Sequence, residues 1–119
     1  MDLAPVVSDD AFEDLVADAL DGLPDWVRER LDNVDVLIAP APPPDHPGLL
    51  GLYEGIPLTR RGYSYSGVLP DRITLFRSSI LYGARTEEEV RKRVRHTVVH
   101  EIAHFFGISD DRLREIDRY

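Results

Sequence analysis

Cysteine is absent from all 119 residues of the chain. That excludes a disulfide framework, a thiol nucleophile and a cysteine-rich metal centre, so any bound metal must rest on histidine and carboxylate. Long apolar runs are missing too. No stretch approaches the roughly 20 residues that cross a bilayer, and the first ten residues are acidic, without the basic start and apolar run of a signal peptide. The expectation is a soluble, cytoplasmic protein with no membrane partner. Basic residues are scarce in the first half: positions 1–59 hold 13 acidic and 2 basic residues, against 9 and 12 in positions 60–119. Phosphate binding needs a clustered basic face, so nucleic acid is excluded as the main partner. The one basic run, Arg91-Lys92-Arg93 with Arg95, reads as the solvated half of a helix. The length suits one core, and a single domain over 1–119 is expected.

Against this background one stretch carries chemistry: His100-Glu101-Ile102-Ala103-His104, followed by Gly107 and Asp110. On a helix, His100 and His104 project from one face a turn apart and can close on a single ion. Glu101 lies roughly 100° round from His100, beside the pair, where a carboxylate can take a proton from water, the general-base role in metal-assisted hydrolysis. Imidazole suits Zn2+, and a catalytic zinc keeps three protein ligands. Gly107 can adopt the left-handed conformation that ends a helix and turns the chain back, which makes Asp110 the expected third ligand. The residues around the motif, Val98, Val99, Ile102, Ala103, Phe105 and Phe106, are apolar, so the site half of this helix should be buried. Buried His and Glu need partners, which a metal provides. His96, one turn earlier, is placed outside the ligand set because three successive turns of a straight helix converge poorly on one ion.

The pattern His-Glu-x-x-His-x-x-Gly-x-x-Asp, at His100, Glu101, His104, Gly107 and Asp110, resembles the metzincin-like signature of the zincin metallopeptidases. With the segment Gly51–Leu58, the opener Pro70-Asp71-Arg72-Ile73 and a motif helix near the end, the chain looks like the small bacterial zincin-like metallopeptidases of about this length. Metzincins carry a methionine turn after the motif, and here the only methionine is Met1. The resemblance implies an α+β fold of the minimal zincin-like kind, with a small mixed or antiparallel sheet packed on helices and a long C-terminal active-site helix. It implies zinc-dependent hydrolysis of a peptide or extended polypeptide, with a non-catalytic zinc-binding or interaction module on the same scaffold as the alternative. Glu115 is the rival third ligand, by analogy with zincins that use a glutamate on a following helix, and Asp111 ranks behind both. The strand before the motif helix is expected to be the edge along which substrate lies. An oxyanion-stabilising group is expected from Tyr63, Tyr65 or Tyr119. Oligomeric state is not legible.

The remaining elements follow from local signals. Ser8 caps a helix from Asp9 with Phe12, Leu15, Val16, Ala19 and Leu20 at helical spacing, ending at Gly22. Pro24 opens a second helix whose inner side is read as Trp26, Val27 and Leu31. Val34–Ala39 is a strand stopped by Pro40, and 40–47, with five prolines, is an extended loop carrying His46 as a surface residue. Leu49–Tyr53 is a second strand, and 59–67 a hairpin or flap. Positions 72–77 alternate as a half-buried strand. Thr86 and Glu89 form a capping box for a helix from Glu87 to Phe106, and 111–117 a short final helix.

Overall fold

The computed structural model describes residues 6–60 and 70–112. Its elements run α1 (Asp9–Asp21), α2 (Asp25–Arg30), β1 (Val34–Ala39), β2 (Gly51–Glu54), a 3-10 turn (Leu58–Arg60), β3 (Asp71–Phe76), α3 (Arg77–Leu81) and α4 (Glu87–Phe105). Tyr63, Tyr65, Glu115, Tyr119 and most of the expected final helix lie outside the described residues, though a helical turn begins at Asp110. The α+β expectation holds, with a mixed sheet.

Helix α1 starts where its cap predicts: the Ser8 hydroxyl accepts from the Ala11 N–H at 3.1 Å. It buries Phe12, Leu15, Val16 and Ala19. The Arg77 guanidinium lies 5.9 Å from the Phe12 ring and pairs with Asp9 at 3.4 Å, tying this helix to the end of β3.

The sheet order is β1-β3-β2, with β1 and β3 parallel and β2 antiparallel to β3. This corrects the reading of the strand before the motif helix. β3 is the central strand, paired on both sides, and cannot accept an added strand. Its alternation also misled, because Thr74 and Phe76 are buried along with Ile73 and Leu75. A strand covered on both faces loses the in-and-out pattern of burial even where the sequence alternates.

Helix α4 crosses the sheet. Thr86 accepts from the Glu89 N–H at 3.1 Å, while the Glu89 carboxylate reaches back to the Arg85 N–H at 2.9 Å. Val90, Val94, Val98 and Ile102, spaced by four, form one buried stripe, each side chain contributing roughly 1.5–3 kcal/mol on burial. The first half of the helix is therefore charged on one side only and anchored in the core on the other. Trp26 is a second correction. It is 62% exposed and rests against Phe106 at a centroid distance of 5.8 Å, because the six-residue α2 turns Val27 inward instead.

Candidate metal centre

The site follows from three rows on α4. Val90, Val94, Val98 and Ile102 face the core. His96, His100 and His104 share the spacing of four but lie on the far side, and Thr97, Glu101 and Phe105 run between the two rows. The middle row is buried, with Thr97 2%, Glu101 7% and Phe105 2% exposed. Burial of this row comes from β2, which lies across it. Gly51 makes the approach possible: a Cβ there would stand 2.7 Å from Thr97 Cγ2 and 3.2 Å from Glu101 Cγ. A glycine inside a strand marks such close approach, and this was the signal in the sequence that went unread.

Two residues on, Tyr53 performs two tasks. Its backbone N–H donates to the Glu101 carboxylate, and its hydroxyl donates to Asp71 Oδ2 at 2.7 Å. Its ring meets the edge of Phe105 at 6.0 Å. Burial raises the Glu101 carboxyl above its usual range, while His104, His100 and the Tyr53 N–H pull it partly back.

The helix ends in a Schellman turn. Gly107, at φ +88°, donates its N–H to the His104 carbonyl at 2.9 Å, and the Ile108 N–H reaches the Ala103 carbonyl at 2.9 Å. A side chain at Gly107 would collide with Thr59 from the 3-10 turn. The reversed chain carries Asp110 over the helix, where its Oδ1 lies 3.1 Å from His100 Nε2 and 3.0 Å from His104 Nε2.

The structure thus gathers all four sequence-expected site residues. Donor atoms of His100, Glu101 and His104 lie within 4.8 Å of one another. Among the described residues His100, Glu101 and His104 form the group able to hold a metal ion, and Asp110 touches both imidazoles at hydrogen-bonding distance. His96 is exposed, its ring 6.0 Å from that of His100, and His46 is exposed beside Asp45. An open cleft of about 420 Å³ lies above the histidines, walled by Leu49 and Gly51–Tyr53 on one side and by Gly107–Asp110 on the other, with Pro57 contributing to its lining.

A His-Glu-x-x-His helix crossing under a small sheet, with a strand beside the histidines, defines a protein of the zincin class. The chain belongs to the zincin-like metallopeptidase family, whose model matches residues 31–119. Among solved structures it is similar to a conserved hypothetical protein from Thermus thermophilus, at 28% identity and a TM-score of 0.57, covering 82% of this chain and 92% of that one. No curated protein matches it. None of the described helices is long and apolar enough to cross a membrane.

Proposed function

We propose that the protein is a zinc-dependent peptidase that cleaves short or extended polypeptides, with His100, His104 and Asp110 as ligands and Glu101 as general base. The observation that carries this reading is the meeting of one Asp110 oxygen with both imidazoles, beside a buried carboxylate that is not needed to complete the ligand set. Bound zinc supplies a Lewis acid that polarises a carbonyl and makes water more acidic.

The chain's own residues do the rest. Glu101 is oriented by the Tyr53 N–H, and its burial gives its carboxylate more proton affinity than an exposed glutamate has. It takes a proton from water in the cleft and delivers it to the leaving amine. Substrate is held by β2, which pairs with β3 on one side and borders the cleft along Gly51–Tyr53. An extended peptide beside it adds a strand to the sheet, the role expected of β3 and assigned instead to the edge strand that borders the cleft. A cleft this shallow favours unfolded segments over folded proteins. The cysteine-free, acidic chain suits a reducing cytoplasm and a peptide partner in preference to nucleic acid.

The test is cleavage of a mixed-sequence peptide library by zinc-loaded protein beside Glu101→Gln, with the zinc content of each measured. Cutting by the wild type alone, with one zinc in both, supports the peptidase. Zinc in both and cutting by neither assigns a zinc-binding module on a zincin scaffold. Zinc in neither removes the premise.

A further inference from the structure

The cleft does not stop at the histidines. On the Gly51 side it opens into a recess of about 190 Å³ lined by Gly48–Gly51, His96 and Thr97 together with His100 and Glu101. That recess shares Gly48 and Leu50 with a third, of about 590 Å³, completed by Pro47, Ser78, Ser79 and Tyr82. The three thus adjoin one another through shared lining residues, from the expected metal ligands to the end of α3. Among the described residues, no charged side chain lines the recess at Tyr82.

Two features mark that recess as built for contact. The Tyr82 side chain contributes little to the fold, since the residue is 84% exposed, and yet its backbone is held firmly. Arg93, on the same helix as the site, donates to the Tyr82 carbonyl at 2.6 Å and to the Ile80 carbonyl at 2.9 Å. The Leu50 wall is anchored as well, since the Phe76 N–H donates to the Leu50 carbonyl at 2.9 Å and extends the β2–β3 ladder beyond β2, while on the Tyr82 side the Ser78 N–H of α3 donates to the Pro40 carbonyl at 3.0 Å. An exposed aromatic residue on a fixed backbone, lining one recess with Leu50 and Pro47, offers a preorganised apolar platform.

We infer that this recess is a distal subsite in which Tyr82, Leu50 and Pro47 bind an apolar residue of an extended polypeptide, outside the residues that flank the cleaved bond. The order follows from the lining: His100 and Glu101 line both the cleft and the middle recess, and neither lines the recess at Tyr82. The inference rests on the peptidase reading and adds that the substrate is long, uncharged at one distal position, and recognised there independently of the metal.

The experiment uses mixed-sequence peptide pools of four, eight and twelve residues with zinc-loaded wild type, Tyr82→Ser and Gly48→Leu. The Gly48 Cβ enters open space, so a leucine there narrows the two recesses that Gly48 lines without disturbing the core. Wild type should cut the twelve-residue pool with a KM about five- to tenfold below that for four residues. Both variants should lose that preference while keeping zinc content and melting temperature, and Tyr82→Ser should also keep kcat on short peptides. Equal KM across lengths, or variants that retain the preference, overturns the subsite. So does a change of oligomeric state in Tyr82→Ser by sedimentation, which would make the recess a contact between copies. If no pool is cut, the peptidase reading fails by itself, and binding of the fluorescent twelve-residue pool decides the subsite: Tyr82-dependent binding retains it, and binding indifferent to Tyr82 removes it.

Discussion

Replacing Gly51 by alanine tests whether β2 and α4 are as closely apposed as the geometry requires. The new methyl would lie 2.7 Å from Thr97 Cγ2, 3.1 Å from the Thr74 carbonyl and 3.2 Å from Glu101 Cγ. Comfortable carbon contacts begin near 3.5 Å, so strand and helix must part by about 0.8 Å. Overpacking of this kind costs about 1–3 kcal/mol, partly offset by about 0.4–1 kcal/mol because alanine narrows the unfolded ensemble at a position without a positive φ. The net loss of about 1–2 kcal/mol lowers the melting temperature by roughly 4–8 °C at this chain length. Thr97→Ser removes the methyl that collides and keeps the hydroxyl, which donates to the Arg93 carbonyl at 2.7 Å. Its own cost is about 1 kcal/mol for the lost methyl. In the Gly51→Ala background it should recover about half the loss, giving a double-mutant coupling of roughly 0.5–1 kcal/mol by thermal or urea unfolding of metal-free protein. Parting strand from helix also moves Glu101 from its Tyr53 donor, so peptide cleavage should fall ten- to a hundredfold in kcat, following the general sensitivity of catalysis to displacements near 1 Å. A Gly51→Ala protein that melts like wild type, or single effects that simply add, would refute the close apposition.

Gly107→Ala should destabilise by about 1 kcal/mol for the left-handed φ alone, with more from Thr59, and should weaken metal binding because Asp110 follows the turn; thermal melts and chelator competition together check this. Asp110→Ala should weaken zinc affinity by more than about a hundredfold while Glu115→Ala leaves it unchanged, and the reverse ranking would transfer the third ligand to Glu115. The Glu101 carboxyl is raised in the fold by burial. The folded state therefore holds its proton more tightly than the unfolded chain, and its favourable contribution is complete below the unfolded pKa and lost as pH rises through the raised folded value. Metal-free Glu101→Gln should accordingly be more stable than wild type at pH 7, with the two curves converging near pH 4; a constant gap across that range would contradict the burial argument.

How far the chain could be read in advance depended on how local the cause was. Ser8, Thr86 and Glu89 act within one helical turn, and the helix starts they predict are observed. Val34–Ala39 is bounded by its own aliphatic run and Pro40, and it appears with those limits. The five-residue α3 had no periodicity to detect, and the second strand is shifted to Gly51–Glu54 because its limits depend on pairing with β3. Trp26 sits beside Val27 on a six-residue helix, and the packing of that helix on the core, which buries Val27, leaves Trp26 outside against Phe106.

By itself, then, the sequence determined the local chemistry of the site: two imidazoles one turn apart, a carboxylate beside them, and a glycine able to reverse the chain toward Asp110. Tertiary structure decided which strand has an edge at the cleft, and that Gly51 lets β2 cover Glu101 and the Tyr53 N–H meet it. The physical reason is range. A helix places residues three and four apart on the strength of its own hydrogen bonds, whereas strand order and the covering of one element by another depend on contacts between segments far apart in the chain, to which no single stretch contributes the whole energy.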